Sequence, residues 1–405
     1  MSPDRTERPP VTSRRRLLGW AGGAGLGLLA GCGTGTGPGP IPGPGPQGSA
    51  PPADGALGMN VNGDPGSLTL AEMDAVSASW LRAFLPMTGA DGALADQPAL
   101  RMILAAADKG RRTVLSLQYP YARRPVPVPG SDAFEREVQR LDGLMARVMG
   151  EIDILVVGNE PFLETREEDR DSGRLNAFYE ALARHVIADR DARLGPAGRT
   201  RLYLGALNHL DRPGGRSGAA DRWMTFTRGT PGLDGMDIHP HLGAPQDGRR
   251  FLDYVLPRLR TDQKFLVTEF SLVHLWKRHL GDRVAPQFAD RYGIPRGERV
   301  WEVVRSAVDR PFPQQQWDDF LRSNPWFAQN GDYLRRQVET FRGTGRLAVA
   351  TYAAVQGAAA ARGFGPDSMP WLLNSLFCPL TVQPDDDGVL GRNTTWTDAF
   401  RALQL

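Results

Sequence analysis

Short, densely apolar runs alternate with longer stretches of helical periodicity from Ala56 to the C-terminus. The most informative run is Ile154-Leu155-Val156-Val157-Gly158, apolar on both faces as in a strand of an all-parallel sheet. It stops at the polar pair Asn159-Glu160, and Pro161 bars its continuation. Seven further runs read as strands in the same way: 56–61, 80–85, 112–117, 202–207, 235–238, 264–268 and 347–353. Between them the spacing predicts helices over 68–77, 97–109, 131–149, 175–189, 219–226 and 249–259, and a last one over 397–403. Within 97–109, Leu100, Ile103, Leu104 and Ala107 share one face, and Ser131 is placed to cap the helix that follows it.

Strand and helix thus alternate eight times. No glycine-rich phosphate loop follows the first strand, which argues against a doubly wound nucleotide-binding fold. The pattern suits an α/β chain closed into a TIM (β/α)8 barrel, a fold that takes about 250 residues and more with insertions. The surplus lies between strands seven and eight, from His274 to Gly345, too long for one helix and its loops. It holds Trp276, Trp301, Trp317 and Trp326, and we expect a helical insertion over the barrel rim whose tryptophans serve as core.

Composition changes this picture only at the N-terminus. The chain has 405 residues, 23% charged and 41% hydrophobic, with a formal net charge of +2, so no nucleic-acid footprint is expected. Ser13-Arg14-Arg15-Arg16-Leu17-Leu18 opens an uncharged stretch that ends in small residues, as in a signal peptide, and its arginines resemble the twin-arginine export signal. Leu29-Ala30-Gly31-Cys32 resembles the bacterial lipobox, in which the cysteine is lipidated and becomes the mature N-terminus. Residues 33–55 are dominated by Gly and Pro and read as a tether reaching about 25–30 Å as a coil. The expected organisation is therefore a signal peptide over 1–32, a tether over 33–55 and a catalytic domain over 56–405. The expected location is outside the cytoplasmic membrane, anchored to its outer face through lipid on Cys32. Cys378, the other cysteine, reads as a small buried apolar residue.

In a (β/α)8 barrel the active site lies at the C-terminal ends of the strands. Polar residues stand at those ends: Arg82 on strand two, Asn159 and Glu160 on four, His239 and His241 on six, Glu269 on seven, Tyr352 on eight. Two glutamates at one rim are what acid/base chemistry at a glycosidic bond requires. The second attacks the sugar carbon when the carboxyls stand about 5–5.5 Å apart, and activates water when they stand about 6.5–9.5 Å apart. Glu160, placed where a buried strand runs out, is expected to have a raised pKa, as a general acid needs. Of His239 and His241 on strand six, only one is expected to face inward. Glu164, Glu167 and Glu168, interleaved with Arg166 and Arg170, read as a solvated face.

This rim pattern resembles the large clan of (β/α)8 glycoside hydrolases with acid/base on strand four and nucleophile on strand seven, the cellulase-like and xylosidase-like families above all. Asn159-Glu160-Pro161 matches the clan's strand-four signature. The resemblance implies that Glu160 is the acid/base, Asn159 binds the sugar 2-hydroxyl, Glu269 is the nucleophile and Arg82 orients Glu269. It implies an oligo- or polysaccharide substrate, retention of configuration, and neither cofactor nor metal. The chain departs on strand six, where many members place a tyrosine near the nucleophile and His239-Pro240-His241 stands instead. On strand eight it has Tyr352 where tryptophan is frequent, and Trp371 is the candidate stacking face. Two other classes remain open at this point. One is a metal-dependent hydrolase using His239 and His241 with a glutamate, the other a non-catalytic barrel that binds glycan in a surface assembly.

Overall fold

The computed structural model describes residues 55–62, 65–87, 94–195 and 200–404. The expected export signal, Cys32 and almost all of the expected tether lie outside the described residues. Eight parallel strands pair in chain order into a closed barrel: β1 Ala56–Asn62, β2 Trp80–Pro86, β3 Arg112–Gln118, β4 Ile154–Val157, β5 Arg201–Asn208, β6 Gly235–His239, β7 Lys264–Val267 and β8 Leu347–Gln356. β8 pairs back onto β1, with Tyr352 opposite Met59, and closure leaves no edge to protect. Each expected strand is present, with ends shifted by at most a few residues.

Alternation along the strands sorts the side chains into two layers. Trp80, Val114, Ile154, Val156, Tyr203 and Leu266 pack with one another as one buried cluster. Leu81, Leu115, Leu155, Leu202 and Phe265, one step away along the same strands, join the larger core beneath the helices. Parallel strands buried on both faces must be apolar at almost every position, which is why the runs were visible in the sequence.

The covering helices are α1 Leu70–Ala75, α2 Pro98–Asp108, α3 Asp132–Val148, α4 Pro161–Glu164, α5 Glu167–Arg170, α6 Arg174–Leu194, α7 Gly218–Gly229 and α8 Gly248–Val255. α1 starts at Leu70 because Thr69 caps it: its hydroxyl accepts from Ala71 N at 3.2 Å, and the Glu72 carboxylate accepts from Thr69 N at 2.8 Å. Ser131 caps α3 as expected, accepting from Phe134 N at 3.3 Å.

Between β7 and β8 lie α9 Val273–His279, α10 Pro286–Tyr292, α11 Val300–Asp309, α12 Gln314–Ser323, α13 Pro325–Ala328 and α14 Tyr333–Arg342, and α15 Thr394–Ala402 closes the chain. Trp276, Trp317 and Trp326 are buried in this helical segment, whereas Trp301 is half-buried with the Arg305 guanidinium over its ring. Trp276 Nε1 donates to Asn374 Oδ1 at 3.0 Å and Trp317 Nε1 to Asn393 Oδ1 at 2.6 Å, tying the segment to the chain that follows β8. Among the described residues, no helix is long and apolar enough to cross a membrane. Cys378 is buried and has no disulfide partner among the described residues.

Candidate active site

The C-terminal ends of the strands carry one connected polar network. Its centre is Arg82, fully buried on β2. Its Nη1 donates to Glu269 Oε1 at 2.6 Å and to Asn60 Oδ1 at 2.8 Å, and its Nε donates to Ser116 Oγ at 3.1 Å. Nη2 donates to Asn159 Oδ1. A planar fork with every arm engaged fixes both the strand-seven carboxylate and the strand-four amide.

Strand four delivers Asn159 and Glu160 through Gly158, whose φ is +109°. A β-carbon there would lie 3.1 Å from both Gly205 O and a Tyr179 ring carbon, so only glycine turns the chain at this point. Ala206 N then donates to Asn159 O at 2.6 Å, and Pro161 opens α4 with Glu160 as its preceding residue. The Glu160 carboxylate is thereby held over the barrel mouth. Its Oε1 accepts from Asn208 Nδ2 at 2.6 Å and lies 3.0 Å from His239 Nδ1.

His239 ends β6 and is fully buried. Its Nε2 lies 2.8 Å from Thr268 Oγ1 and 3.4 Å from Asp237 Oδ2. His241 also faces the mouth, contrary to the expectation that only one of the pair would. Residues two apart along a strand share a face, and although β6 ends at His239, the bridge of His241 to Ser271 keeps it on the same side. Its Nε2 is 3.9 Å from Glu160 Oε1 and 3.7 Å from Glu269 Oε2, while Nδ1 is 2.8 Å from Ser271 Oγ. The half-buried Trp371 ring meets His241 edge-on at 5.0 Å between centroids. One donor atom from each of Glu160, His239, His241 and Glu269 lies within 4.8 Å of all the others.

Burial opposes ionisation of Glu160, yet the hydrogen bond and charge of His239, with His241 and Asn208 behind them, hold its pKa well below the usual carboxylate range. Burial would likewise lower His239, but the charges of Glu269 and Asp237 and the bonds to Asp237 and Glu160 push it up. The expectation of a raised Glu160 is therefore corrected: the proton shared by this pair rests on the imidazole. For His241 burial outweighs the pull of Glu160 and Glu269 and holds it at about 4, so the ring is neutral.

Two further expectations are corrected. Tyr352 is not at the mouth. It is fully buried on the outer face of the barrel, 5.2 Å from Phe270 and 6.2 Å from Trp396 between ring centroids, and its hydroxyl has no partner among the described residues. Glu164 is not part of a solvated face. Its Oε1 accepts from Asn159 Nδ2 at 2.8 Å and Gln118 Nε2 at 3.0 Å, and burial raises its pKa against those two bonds. Glu167 and Glu168 do face solvent.

Sequence reasoning also missed Asn208, Ser116, Asp237 and Thr268. Asn208 and Thr268 stand at or just past strand ends, where the same rim argument applied to them would have found them. Asp237 was legible as a charged residue inside an apolar strand.

No protein-family model matches the chain, and no curated protein matches it. Among solved structures, a family 39 glycoside hydrolase from the gut symbiont Bacteroides cellulosilyticus WH2 aligns with a TM-score of 0.50 at 14% identity, covering 87% of this chain and 64% of that one. The present chain thus spans less than two thirds of that protein's length. A β-glucosidase from Exiguobacterium marinum aligns with a TM-score of 0.47 at 9% identity, over 86% of this chain and 98% of that one. A glucosidase from Croceicoccus marinus aligns with a TM-score of 0.46 at 14% identity, over 86% and 66%. The likeness to the first shows the shared (β/α)8 barrel fold.

Proposed function

We propose that this barrel is a glycoside hydrolase that cleaves O-glycosidic bonds with retention of configuration, with Glu269 as nucleophile and Glu160 as acid/base. One observation carries the reading: an oxygen of Glu160 and an oxygen of Glu269 lie within 4.8 Å of each other at the mouth of the barrel. That is close to the ~5–5.5 Å of retaining enzymes and well short of the ~6.5–9.5 Å that leaves room for a water in inverting ones. Both carboxylates keep an open side, 21% and 14% exposed, toward the mouth.

In this mechanism Glu269, aligned by Arg82, attacks the anomeric carbon as the glycosidic C–O bond breaks. The departing oxygen takes a proton from Glu160, which draws it from its resting place on the His239 imidazole. A glycosyl ester on Glu269 remains. Glu160, a carboxylate again, removes a proton from water, which attacks the anomeric carbon and frees Glu269. Asn159 keeps one amide hydrogen beyond its bond to Glu164 and offers it to a sugar hydroxyl, and Trp371 offers an apolar face. The lipobox at Cys32 supports an exported, lipid-anchored protein, which puts extracellular or cell-envelope glycan within reach.

The test pairs product analysis with two variants. The wild type should release product of retained anomeric configuration by NMR. Glu269→Ala should lose turnover on every substrate, with azide restoring it as inverted product. Glu160→Ala should still form the intermediate from activated aryl glycosides and then stall, giving a burst. Inverted product from the wild type would refute retention, and full turnover by Glu269→Ala would refute the site.

A further inference from the structure

We propose that Glu160, His239, His241 and Glu269 together form a cage for a divalent transition-metal ion of the Zn²⁺ type, and that the ion switches the site off. A tetrahedral site with bonds of about 2.0–2.1 Å has its donors about 3.3 Å apart. The donors here already stand near that spacing. His239 Nδ1 is 3.0 Å from Glu160 Oε1 and 3.9 Å from Glu269 Oε1, and His241 Nε2 is 3.9 Å from Glu160 Oε1 and 3.7 Å from Glu269 Oε2. The full set fits within 4.8 Å.

The second nitrogen of each ring is held from outside, as metal-bound histidines require. His239 Nε2 meets Thr268 and Asp237, and His241 Nδ1 meets Ser271. Those contacts turn the other nitrogens toward the carboxylates. Charge favours a dication too. One guanidinium, Arg82, pairs with Glu269, while Glu160 and Asp237 flank His239, so three carboxylates against one cation leave two negative charges in excess when both imidazoles are neutral. Two nitrogen and two oxygen donors suit Zn²⁺ or Co²⁺ over Mg²⁺ or Ca²⁺, which take oxygen. A tyrosine at position 241 would remove one of the nitrogens, so the cage is a property of this chain's His-Pro-His.

An ion held this way occupies both reacting carboxylates. Glu269 can no longer attack and Glu160 can no longer pass a proton, so metal competes with sugar. This consequence rests on the glycosidase reading, whereas the cage itself does not.

The test titrates chelator-stripped full-length protein in detergent with Zn²⁺ alone, and with Co²⁺ as a spectroscopic probe. One ion per chain is expected, with the intense visible bands of four-coordinate cobalt and a Zn²⁺-dependent rise in Tm. His241→Tyr should abolish binding, and Ser271→Ala, which removes the hydroxyl on the ring's outer nitrogen and its bond from Val273 N, should weaken it by about 10–100-fold. Circular dichroism of each variant checks that it is folded. Failure to bind Zn²⁺, or binding untouched by both substitutions, overturns the cage. On glycosides, Zn²⁺ should inhibit competitively and chelator should restore turnover, and turnover unaffected at saturating Zn²⁺ also overturns it. A stripped protein that binds Zn²⁺ but hydrolyses no glycoside would overturn the glycosidase reading and leave the cage standing.

Discussion

Glu164 sits one helical turn beyond Glu160, because α4 returns the chain to the rim, and its carboxylate holds the Asn159 amide that Arg82 grips from the other side. Glu164→Gln keeps an oxygen for Asn159 and should retain most activity. Glu164→Ala frees the amide and should lower kcat/KM about tenfold, the kinetic equivalent of ~1.4 kcal/mol of lost positioning. Equal losses in the two variants, measured on one aryl glycoside, would show that charge and not the hydrogen bond matters. Arg82→Lys keeps the charge but cannot serve Glu269, Asn60, Asn159 and Ser116 at once, so activity should fall although the charge survives. Tyr352 supplies the contrast. Its hydroxyl is buried without a partner among the described residues, so Tyr352→Phe removes an unmet desolvation cost. Thermal melts should show unchanged or slightly higher stability, and kcat/KM should not move. A loss of activity there would return Tyr352 to the site.

At the scale of elements, the turn out of β4 and the short helices after it hold the acid/base in place. Gly158→Ala puts a β-carbon on a positive φ and against Gly205 O. Strain of about 1–3 kcal/mol is expected, relieved by a shift of Asn159 and Glu160. Turnover should therefore fall more than Tm, and a stable variant with wild-type kcat would show that the turn tolerates a side chain. Behind this turn, Asp169 of α5 caps Val126 N at 3.0 Å and accepts from Arg166 Nε at 2.7 Å. Burial opposes its ionisation, but these bonds and the charge of Arg174 hold it below the usual carboxylate range. A depressed folded-state pKa contributes stability above the ordinary value, and that stability is lost as pH falls through the folded one. Asp169→Ala should thus destabilise at neutral pH, and its deficit in Tm should shrink as pH drops below about 4, near the ordinary carboxylate value. A deficit constant across that range would mean the side chain acts by packing alone.

For the whole molecule, we propose that the lipid on Cys32 is the anchor. Cys32→Ala should release the protein from membranes or block its maturation, read by fractionation and by the mass of the N-terminal peptide, and unchanged retention without lipid would refute it. How much of the molecule the sequence determines follows from the range of the forces involved. Burial on both faces of a parallel strand demands consecutive apolar residues, so Ile154–Val157 and its seven counterparts announce themselves locally. Once eight such strands close in order, their ends share one rim, and Arg82, Glu160 and Glu269 meet there by topology alone. The rest was decided by geometry between strands. Tyr352 and Thr351 are neighbours on β8, and the rim argument alone did not say which faces the mouth. In the fold the Thr351 hydroxyl donates to Thr268 O while the tyrosine packs outward. His241 follows His239 onto one face because residues two apart along a strand point the same way, and the bridge to Ser271 holds it beside the carboxylates after the strand stops. Glu164 looked solvated in a charged run because nothing local records the amides of Asn159 and Gln118 arriving from two strands. The resting place of the proton depends on three carboxylates brought to one imidazole from β4, β6 and the end of β7. Local pattern specifies which residues reach the rim, because hydrophobic burial is read one strand at a time. Only the closed barrel sets the few ångströms between side chains, on which hydrogen bonding and charge depend.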